Sequence, residues 1–518
     1  MIDPSIDKKN MINRDDDKDE YEVRLKRMKE IIAMGIYPYS SRFEKTHSID
    51  KILDAPESQN PRESKDVFKV PKGVFKTAGR IITKRIHGKI SFFNIQDNTG
   101  ILQICFKEDV IGKEKYKFIV SLVDVGDFIG IEGEPFLTEQ KKLAILSINY
   151  EFLTKTLRPL PAKFHGLENI EKKYRQRYLD LIANRETFNR FVLRSNLVQS
   201  IREWLLRDKF IELTTRILQS QAGGAMAKSF VTHHNSLNHD FNLRISPELD
   251  LKMSIVGGFE RVFEFAVNFR NEGIDSNHLQ EFQMLEWYCA YEDYIQGMNR
   301  TEKMLKENIK KVLGRTTFFV LDKNDRKHEV NMEEKFHRIS FSEILSDYDI
   351  DIFASKEELL KISDKYGLSR DESKKRSRGN LLDDIYKKVI RPNIIQPTFI
   401  TNYPADLLPL ARPSDADPRL ADSYQLIIGA SEVVKGYSEL VDPVLQRTAF
   451  EKQTQARLEG DEEAMIKNNE YLLAMEHGMP PITGCGIGID RLITLITEQK
   501  NLKDNVLFPL MRPDENEA

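Results

Sequence analysis

FRNEGIDSNHLQEFQMLEWYCAYEDY, at residues 269–294, contains two strand-like segments separated by a polar loop. Charged and aromatic side chains recur along it: Arg270 and Glu272 on the first segment, then Phe282, Glu286 and Tyr288 on the second. Because side chains two residues apart point to the same face of a strand, the hairpin can present a cation, an aromatic ring and a carboxylate together. The stretch therefore predicts a β-hairpin whose exposed face carries the side chains of a binding or catalytic site.

A nucleotide site of the common phosphate-loop type is excluded, because no GxxxxGK[ST] pattern occurs in the chain. The glycines of GCGIGIDR at 484–491 have the wrong spacing for a dinucleotide-binding turn. If ATP binds, arginine side chains must hold it. Arg270 alone would more simply be read as a partner in a surface ion pair.

Strand-like and helical patterns alternate on both sides of this hairpin, from residue 171 to residue 518. FIELTTRIL, FNLRISPEL and RVFEFAVNF have the composition of strands, and longer helical patterns separate them. We predict an α+β domain with a largely antiparallel sheet flanked by helices. TEKMLKENIKKVLG and SKEELLKISDKYG further predict a helical insertion at about 300–395.

The N-terminal part of the chain has a different organisation. Residues 1–18 are charged and poor in large apolar side chains, which predicts a flexible tail. From 19 to 155 we predict a helix followed by a five-stranded barrel, because short strand patterns and turns alternate over 74–152. Residues 156–170 contain prolines and a glycine and predict a linker.

The composition gives no preference for a partner, because 78 Lys and Arg residues nearly balance 81 Asp and Glu residues among 518. Cys105, Cys289 and Cys485 lie far apart without paired ligand spacing, so we expect reduced thiols and no zinc site. No membrane-span or secretory-signal pattern occurs, and we predict a cytoplasmic protein.

Several motifs point to one family. FRNEG with EFQMLEWYCAYEDY, and GIGIDRLITLITEQKNLKDNVLFPLMRP at 486–513, resemble motifs 2 and 3 of class II aminoacyl-tRNA synthetases. Four further segments resemble those of the lysyl-tRNA synthetases of subclass IIb and occur in the same order: YRQRYLDL, GGAMAKSFVTHHN, PELDLK and VGGFERVFE. The resemblance implies an anticodon-binding OB-fold, a class II catalytic domain and a lysine–tRNA ligase that uses ATP, L-lysine, tRNA(Lys) and Mg²⁺. It also implies a homodimer.

The resemblance assigns roles to individual residues. As catalytic residues it implies Arg270, which grips the α-phosphate and the amino-acid carboxylate, and Arg491, which reaches the γ-phosphate. The implied ATP-binding residues are Arg270, Glu272, His278, Phe282, Glu432 and Arg491. The implied lysine-binding residues are Gly224, Glu248, Arg270, Glu286, Tyr288, Lys435, Tyr437 and Glu439. In the barrel, Arg85, Phe92 and Gln103 match anticodon-binding positions.

The chain departs from the family pattern at five of these or neighbouring positions. Gln425 stands where a second metal-binding Glu is expected beside Glu432, so that we expect weaker or fewer Mg²⁺ sites. Lys435 replaces an expected Asn and, pointing inward, would either pair with the substrate carboxylate or crowd the pocket. The remaining departures are Leu279 in the ATP loop, Asp250 in place of an aromatic, and Arg216 in place of the motif 1 proline.

Two alternatives to a working ligase stay open. A non-catalytic tRNA-binding or regulatory paralogue would have no reason to keep Arg270, Glu286, Glu439 and Arg491 together. A ligase that modifies a protein with lysine would usually lack the barrel predicted at 74–152.

Overall fold

The computed structural model forms two compact units, Met1–Gly166 and Leu167–Ala518. The division falls inside the linker predicted at 156–170, of which residues 162–168 lie outside the described part of the chain. The structure describes residues 5–59, 61–63, 74–161, 169–221, 223–225, 227–273, 275, 278–322, 324–369, 373, 376–458 and 465–513.

The first unit is built on a closed barrel. Its strands are β1 (Arg62–Glu63), β2 (Phe75–His87), β3 (Ile90–Gln96), β4 (Ile101–Lys107), β5 (Phe128–Leu137) and β6 (Leu143–Thr154). The strand order is β1-β5-β2-β3-β4-β6, and an additional β5–β6 pairing closes the sheet on itself. Five long strands therefore form the barrel, as predicted, and the two-residue β1 adds to its edge. Alternate side chains such as Ile81, Phe93 and Ile129 fill the interior.

The helices of the first unit are Ser5–Ala33, Ile49–Asp54, Pro56–Gln59, Glu108–Ile111 and Lys113–Ser121. The first of these begins within the segment predicted as a flexible tail at 1–18, because the backbone is helical from Ser5 onward, and the flexibility of that segment stays a prediction. Residues 5–18 contain no glycine or proline, and a helix extends at low cost once its first turns exist.

An eight-stranded sheet organises the second unit. Its strands are β7 (Ile211–Glu212), β11 (Arg261–Phe269), β12 (Glu281–Ala290), β15 (His337–Ser340), β16 (Thr398–Thr401), β17 (Ser423–Ile428), β18 (Ser431–Ser438) and β19 (Ile482–Gly488). They run in the order β15-β16-β17-β18-β19-β12-β11-β7, and all pairings except the two at the edges are antiparallel. The predicted α+β class and antiparallel sheet are confirmed.

Two small sheets and a set of helices complete the second unit. One small sheet contains β8 (Leu218–Gln219), β9 (Val231–His234) and β10 (His239–Leu243), and β13 (Thr317–Leu321) pairs with β14 (Lys327–Asn331) in the other. The α-helices are Ile170–Arg175, Arg177–Ala183, Arg185–Arg207, Glu248–Val256, Tyr294–Leu313, Phe341–Ser346, Lys356–Lys365, Arg378–Ile385, Pro443–Leu458, Asn469–Glu476 and Ile489–Ile496. The second unit also contains a π-helix at Tyr386–Ile390 and 3₁₀ turns at Arg391–Asn393, Ala405–Leu407 and Leu502–Asn505. Among the described residues, none of the helices combines the length and the apolar character needed to cross a lipid bilayer.

The main core lies on one face of the large sheet. The helices Arg185–Arg207 and Tyr294–Leu313 pack there against Trp287 and its alternate neighbours on β12. Since side chains alternate along β12, Glu286 and Tyr288 point to the opposite face. The sheet thus separates a dry core from a face that is free to hold a polar site.

The insertion predicted as helical at about 300–395 is mixed in structure. The helix Tyr294–Leu313 belongs to the main core, β13 and β14 form a hairpin, and β15 joins the large sheet. The run TTFFVL at 316–321 is rich in β-branched and aromatic residues, which was a local signal for a strand. The helical periodicity on either side of this run nevertheless led to the prediction of a helical insertion.

Candidate active site

A cavity of about 680 Å³ opens on the sheet face opposite the main core. β12, β17, β18 and β19 contribute residues to its lining. Every catalytic-domain residue that the family resemblance singled out lines it: Gly224, Glu248, Arg270, Glu272, His278, Phe282, Glu286, Tyr288, Gln425, Glu432, Lys435, Tyr437, Glu439 and Arg491. Residues far apart in sequence are therefore brought into one site.

Glycines on the central strand keep part of this cavity open. Gly486 of β19 lies between Glu286 of β12 and Lys435 of β18 in the strand register. A Cβ atom on Gly486 would stand 2.7 Å from the movable Met284 Cε atom and 3.7 Å from Glu286 Cγ, whereas one on Gly484 would overlap the Tyr288 ring at 2.2 Å. The GxGxG pattern of this strand therefore serves the shape of the cavity rather than a dinucleotide turn.

A bulge on β18 turns two charged residues toward the same cavity. Leu426 of β17 pairs with Val434, but the next residue, Ile427, pairs with Glu432, so that Val433 is the extra residue. A bulge of this kind shifts the alternation of side chains by one position. Glu432 and Lys435, three residues apart, consequently both line the cavity.

One end of the cavity is acidic. Glu248, Glu286 and Glu439 converge there and are all nearly inaccessible to solvent. Lys252, one helical turn after Glu248 and completely buried, places its Nζ atom 2.6 Å from Glu248 Oε1 and in contact with Glu439 Oε2. Two of the three carboxylates thus share a single internal cation.

Hydroxyl groups complete the acidic end. Ser246 donates a hydrogen bond of 2.9 Å to Glu286 Oε1, and the Tyr288 hydroxyl donates one of 3.0 Å to Glu286 Oε2. The Tyr437 hydroxyl donates to Glu248 Oε1. These contacts fix the carboxylates in position without neutralising them.

Burial at this end changes the proton affinities of the charged groups. Burial, reinforced by the charge of Glu248, raises the pKa of Glu286 to about 7. Burial also raises the pKa of Glu439 well above its ordinary value, although Lys252 opposes the shift. For Lys252, burial would lower the pKa, but Glu248 and Glu439 outweigh it and raise the pKa, so that this lysine stays charged.

Gly224 forms part of the wall beside Glu248. Its φ of +84° lies in the left-handed region that favours glycine. A Cβ atom there would lie 3.0 Å from the Glu248 Cβ atom and 3.2 Å from Ser246 Oγ. The backbone of Gly224 can approach a ligand at this point only because no side chain intervenes.

The other end of the cavity is rich in cations. The Arg270 guanidinium stacks on the Phe282 ring at 5.0 Å from the ring centroid and makes one long hydrogen bond, 3.5 Å, to the Ile245 carbonyl oxygen. Its buried Nε atom has no hydrogen-bond partner among the described residues. Arg491 donates to the backbone carbonyl oxygen of Glu432. Arg270 therefore has donors available for an anion in the cavity.

Glu432 is surrounded by cations but paired with none. Its carboxylate makes no hydrogen bond or ion pair with any described residue, and it faces the cavity. Burial would raise the pKa of Glu432, but the positive charges of Lys435, Arg491 and two further cations outweigh burial and lower the pKa. A carboxylate held ionised in this way suits a divalent cation that also binds phosphate oxygens.

Gln425, the other residue predicted to bind metal, is already engaged. Its Oε1 atom accepts a hydrogen bond of 2.8 Å from the hydroxyl of the buried residue Tyr403. Within the described part of the chain, no three His, Cys, Asp or Glu residues form a group that could hold a metal ion. The residues fit one ion held by Glu432 together with substrate oxygens, and Gln425 is poorly suited to hold another.

The loop between β11 and β12 lies at the rim of the cavity. Glu272, His278 and Leu279 line it there, and the His278 Nδ1 atom lies 2.8 Å from Asp275 Oδ2. Both side chains of that pair are more than half exposed. Leu279 therefore adds an apolar contact where a polar one is usual in the family.

Two of the departures from the family pattern compensate each other. Arg216, in the position of the expected proline, forms a two-pronged ion pair with Asp250, which replaces the expected aromatic residue, at 3.0–3.2 Å. Arg216 also contacts Glu470 Oε2 at 2.7 Å. The substitutions are thus coupled, and neither leaves an unpaired charge.

In the first unit, the residues predicted to bind the anticodon lie on the outer face of the barrel. Arg85 and Phe92 are cross-strand partners, and Gln103 pairs with Asn94 on the same face as Phe92. Phe92 is partly exposed, whereas Phe93 is completely buried. Of the two aromatics, Phe92 is thus the one that a ligand can reach.

Sequence reasoning missed the internal cation and its neighbours. Lys252 stands four residues after Glu248 in the helix Glu248–Val256, and this spacing places the two on one helix face. That signal was present in PELDLK. Ser246 and Tyr403 gave no such signal, because their roles depend on strands distant in sequence.

Comparisons with known proteins agree with this geometry. Residues 169–512 match the family of tRNA synthetases class II (D, K and N), and residues 75–159 match the OB-fold nucleic acid binding domain. The relatives include lysine–tRNA ligases from Carboxydothermus hydrogenoformans and Pelotomaculum thermopropionicum. They are 41% and 39% identical over 95% and 97% of this chain, and 97% of each relative is covered.

A lysine–tRNA ligase from Thermosipho africanus is 39% identical over 96% of both chains. The matched family spans the whole sheet and cavity of the second unit, and the barrel is matched separately. The resemblance drawn from the motifs is confirmed, and the chain belongs to the class II tRNA synthetases of the D, K and N group.

Proposed function

We propose that this protein is a lysine–tRNA ligase, which activates L-lysine with ATP and transfers it to tRNA(Lys). The observation that carries the amino-acid assignment is the charge of the acidic end. With all three carboxylates ionised, Glu248, Glu286 and Glu439 carry three negative charges and Lys252 one positive charge. A ligand with two cations would balance the remaining two negative charges and keep Glu286 and Glu439 ionised against the effect of burial. Lysine has two ammonium groups, and its carboxylate matches Arg270.

This balance discriminates against other amino acids. A neutral side chain such as that of leucine or methionine would leave a buried carboxylate without a partner, at a cost of several kcal/mol. Aspartate would place a negative charge among carboxylates. Placement of the α-ammonium beside Glu248 and Gly224 leaves Glu286, Tyr288 and Glu439 for the ε-ammonium.

The remaining residues suit formation of an adenylate. The lysine carboxylate attacks the α-phosphorus of ATP, and pyrophosphate leaves on the opposite side. Arg270 is placed to hold both reacting anions, so that the reaction depends on positioning and charge stabilisation rather than on a covalent enzyme intermediate. We assign the adenine to the space between Phe282 and Arg491, and the γ-phosphate to Arg491. The terminal ribose hydroxyl of tRNA then attacks the adenylate carbonyl, and AMP leaves as the bond between the carbonyl carbon and the phosphate oxygen breaks.

We assign Mg²⁺ to Glu432 and to phosphate oxygens of ATP. When bound, the ion reduces the repulsion between the phosphates. Glu272 and His278, at the rim, are assigned to the nucleotide. Gln425 is assigned no ion, because Tyr403 already donates to its amide oxygen.

Anticodon binding is assigned to the barrel. Phe92 offers a partly exposed ring for stacking, with Arg85 and Gln103 on the same face. Truncation of Phe92 to alanine should weaken tRNA binding by roughly 1–3 kcal/mol and leave lysine-dependent ATP–pyrophosphate exchange unchanged. Equal tRNA affinity of the variant and the wild type would remove Phe92 from the assignment.

We also propose a homodimer formed through the region of the helix Arg185–Arg207, on whose surface Val192 and Leu206 are exposed. Sedimentation of the full chain as a monomer at micromolar concentration would contradict it. The cytoplasmic location stays a prediction from the sequence.

Amino-acid-dependent ATP–pyrophosphate exchange tests the proposed function. We expect exchange with lysine but not with aspartate, asparagine or arginine. Glu439→Gln should reduce kcat/KM for lysine by roughly 10²–10³-fold, because it removes the charge that faces the ε-ammonium. Exchange with no amino acid, from a folded protein, would favour a non-catalytic paralogue.

Glu451→Gln is the matched control, because Glu451 is exposed and, among the described residues, pairs only with Lys467 at 3.2 Å. Its kcat/KM should equal that of the wild type. A similar loss in both variants would show that the assay reports stability rather than recognition of lysine.

A further inference from the structure

Lys435 is a cation of the cavity whose charge acts on the Glu432 carboxylate without a direct ion pair. It lines the cavity, is only partly exposed, and makes neither a hydrogen bond nor an ion pair with any described residue. The nearby Lys387, by contrast, is paired with Asp383 at 2.6 Å. An unpaired ammonium directed into a polar cavity is a binding group for an anion.

The strand register places Lys435 between the two ends of the cavity. Gln425 of β17 and Gly486 of β19 are its direct neighbours across the sheet, and Glu286 lies one strand beyond Gly486. Neighbouring strands are about 4.8 Å apart, so that Lys435 and Glu286 stand about 10 Å from each other across the glycine strand. The reacting carboxylate and α-phosphate must meet in this interval.

The neighbour of Lys435 makes a divalent ion a poor fit beside it. Gln425 is neutral, its amide oxygen accepts from Tyr403, and the ammonium of Lys435 would repel a second metal ion. The pair Gln425 and Lys435 carries a charge of +1, whereas Glu and Asn at the same two positions would carry −1. The difference of two charges equals the charge of one divalent ion.

We propose that the Lys435 ammonium binds the α-phosphate of ATP and takes the place of one divalent ion at this site. The inference rests on the proposed function, because it assumes that ATP occupies the cationic end. It revises the role of Lys435 as a partner of the lysine carboxylate: its ammonium neutralises the phosphate at which that carboxylate attacks. Glu432 would hold an ion that neutralises charge on the pyrophosphate.

Counting bound Mn²⁺ tests the proposal without relying on catalysis. The full-length protein is mixed with α,β-methylene ATP and Mn²⁺, without an amino acid, and free Mn²⁺ is measured by electron paramagnetic resonance. We expect the variant Gln425→Glu/Lys435→Asn to bind one Mn²⁺ more per site than the wild type. Because no amino acid is present, the count does not depend on lysine being the substrate.

Exchange assays provide the second readout. Lys435→Asn should lower kcat/KM for ATP by roughly 100-fold, the effect of losing one charge-stabilising group. Added Mg²⁺ should restore the double variant to within about tenfold of the wild type, and should not restore the single variant. Lys500→Asn is the control, because Lys500 is exposed and its one ion pair within the described part of the chain is with Asp325 at 2.7 Å.

Equal numbers of bound Mn²⁺ in the wild type and the double variant would overturn the proposal. So would an exchange rate of Lys435→Asn within threefold of the wild type. Lys435→Gln serves in the same role if the asparagine variant does not fold, as judged by circular dichroism. Failure of lysine-dependent exchange in the wild type would instead contradict the proposed function and leave the Mn²⁺ count to be judged separately.

Discussion

The two ends of the catalytic cavity treat buried charge in opposite ways. At the acidic end, Lys252 bridges two carboxylates, and hydroxyl groups donate to Glu286 and Glu248. At the cationic end, the Arg270 Nε atom lacks a partner among the described residues, and Lys435 makes no ion pair with any of them. One end is largely paired within the protein, and the other is left for the ligand to pair.

The difference follows from the charges that each substrate brings. Lysine carries two cations on a flexible chain, so its carboxylates must be held in place before it arrives. ATP carries several negative charges that can engage many donors at once, and unpaired cations increase its affinity. Because both substrates relieve unpaired charge, we expect each of them to stabilise the folded protein.

The largest effect that separates the two ends should come from Lys252→Met. The substitution keeps the volume but leaves Glu248 and Glu439 buried without their cation, at a cost of about 3–5 kcal/mol. For a cooperative unit of about 350 residues this corresponds to a fall in Tm of about 4–7 °C. Differential scanning calorimetry of the full chain measures it.

Lys310→Met is the matched control, because Lys310 is exposed and pairs with the exposed Glu333 at 3.2 Å. Its Tm should change by about 1 °C or less. An unchanged or higher Tm in Lys252→Met would show that the carboxylates take up protons at little cost and that the acidic end does not need its internal cation.

The sequence predicted the acidic end only in part. Glu248, Glu286 and Glu439 could be named because each lies in a motif of the family, and the structure places all three in one cavity. Lys252 was missed although its spacing from Glu248 was visible, since a lysine in a helix is ordinarily solvated. Local patterns show which face a residue occupies, but not which distant strand meets it.

The cationic end shows the same limit. Gln425 and Lys435 were recognised as departures from the family, but their adjacency is a property of the β17–β18 register. The coupling of Arg216 with Asp250 was likewise not visible, because the two residues lie on separate elements. The barrel and the sheet were predicted correctly, since alternation within a strand is a local property, whereas the mixed structure of 300–395 was not.

A smaller effect should appear in the pH dependence of lysine binding. Because the pKa of Glu286 is raised to about 7, this carboxyl is protonated in the empty protein below that pH and cannot pair with an ammonium. We expect KM for lysine to increase roughly tenfold between pH 8 and pH 6, and to lose this dependence in Glu286→Gln. KM for ATP should change little over the same range.

A rise in pH should act through Glu286 in opposite directions on the two properties: it strengthens lysine binding and lowers the stability of the empty protein. Between the unfolded pKa of about 4.3 and the folded pKa of about 7, the empty folded protein binds more protons than the unfolded chain. The contribution of Glu286 to stability is therefore present at low pH and lost as the pH rises through 7. A lysine KM that is constant from pH 6 to pH 8 would contradict the assignment of Glu286.

The smallest effect should come from Arg216 and Asp250, which pair on the outside of the helix that carries Lys252. The Arg216 side chain is 42% exposed, whereas the side chains of Lys252 and Glu439 are inaccessible to solvent. Solvent screens the outer pair, so that we expect a coupling energy of about 0.5–1 kcal/mol between Arg216→Ala and Asp250→Ala. Tm values of both single variants and the double variant measure it. A coupling near 3 kcal/mol would show that the outer pair behaves like the buried one, and that Arg216 replaces the structural role of the expected proline rather than adding a surface contact.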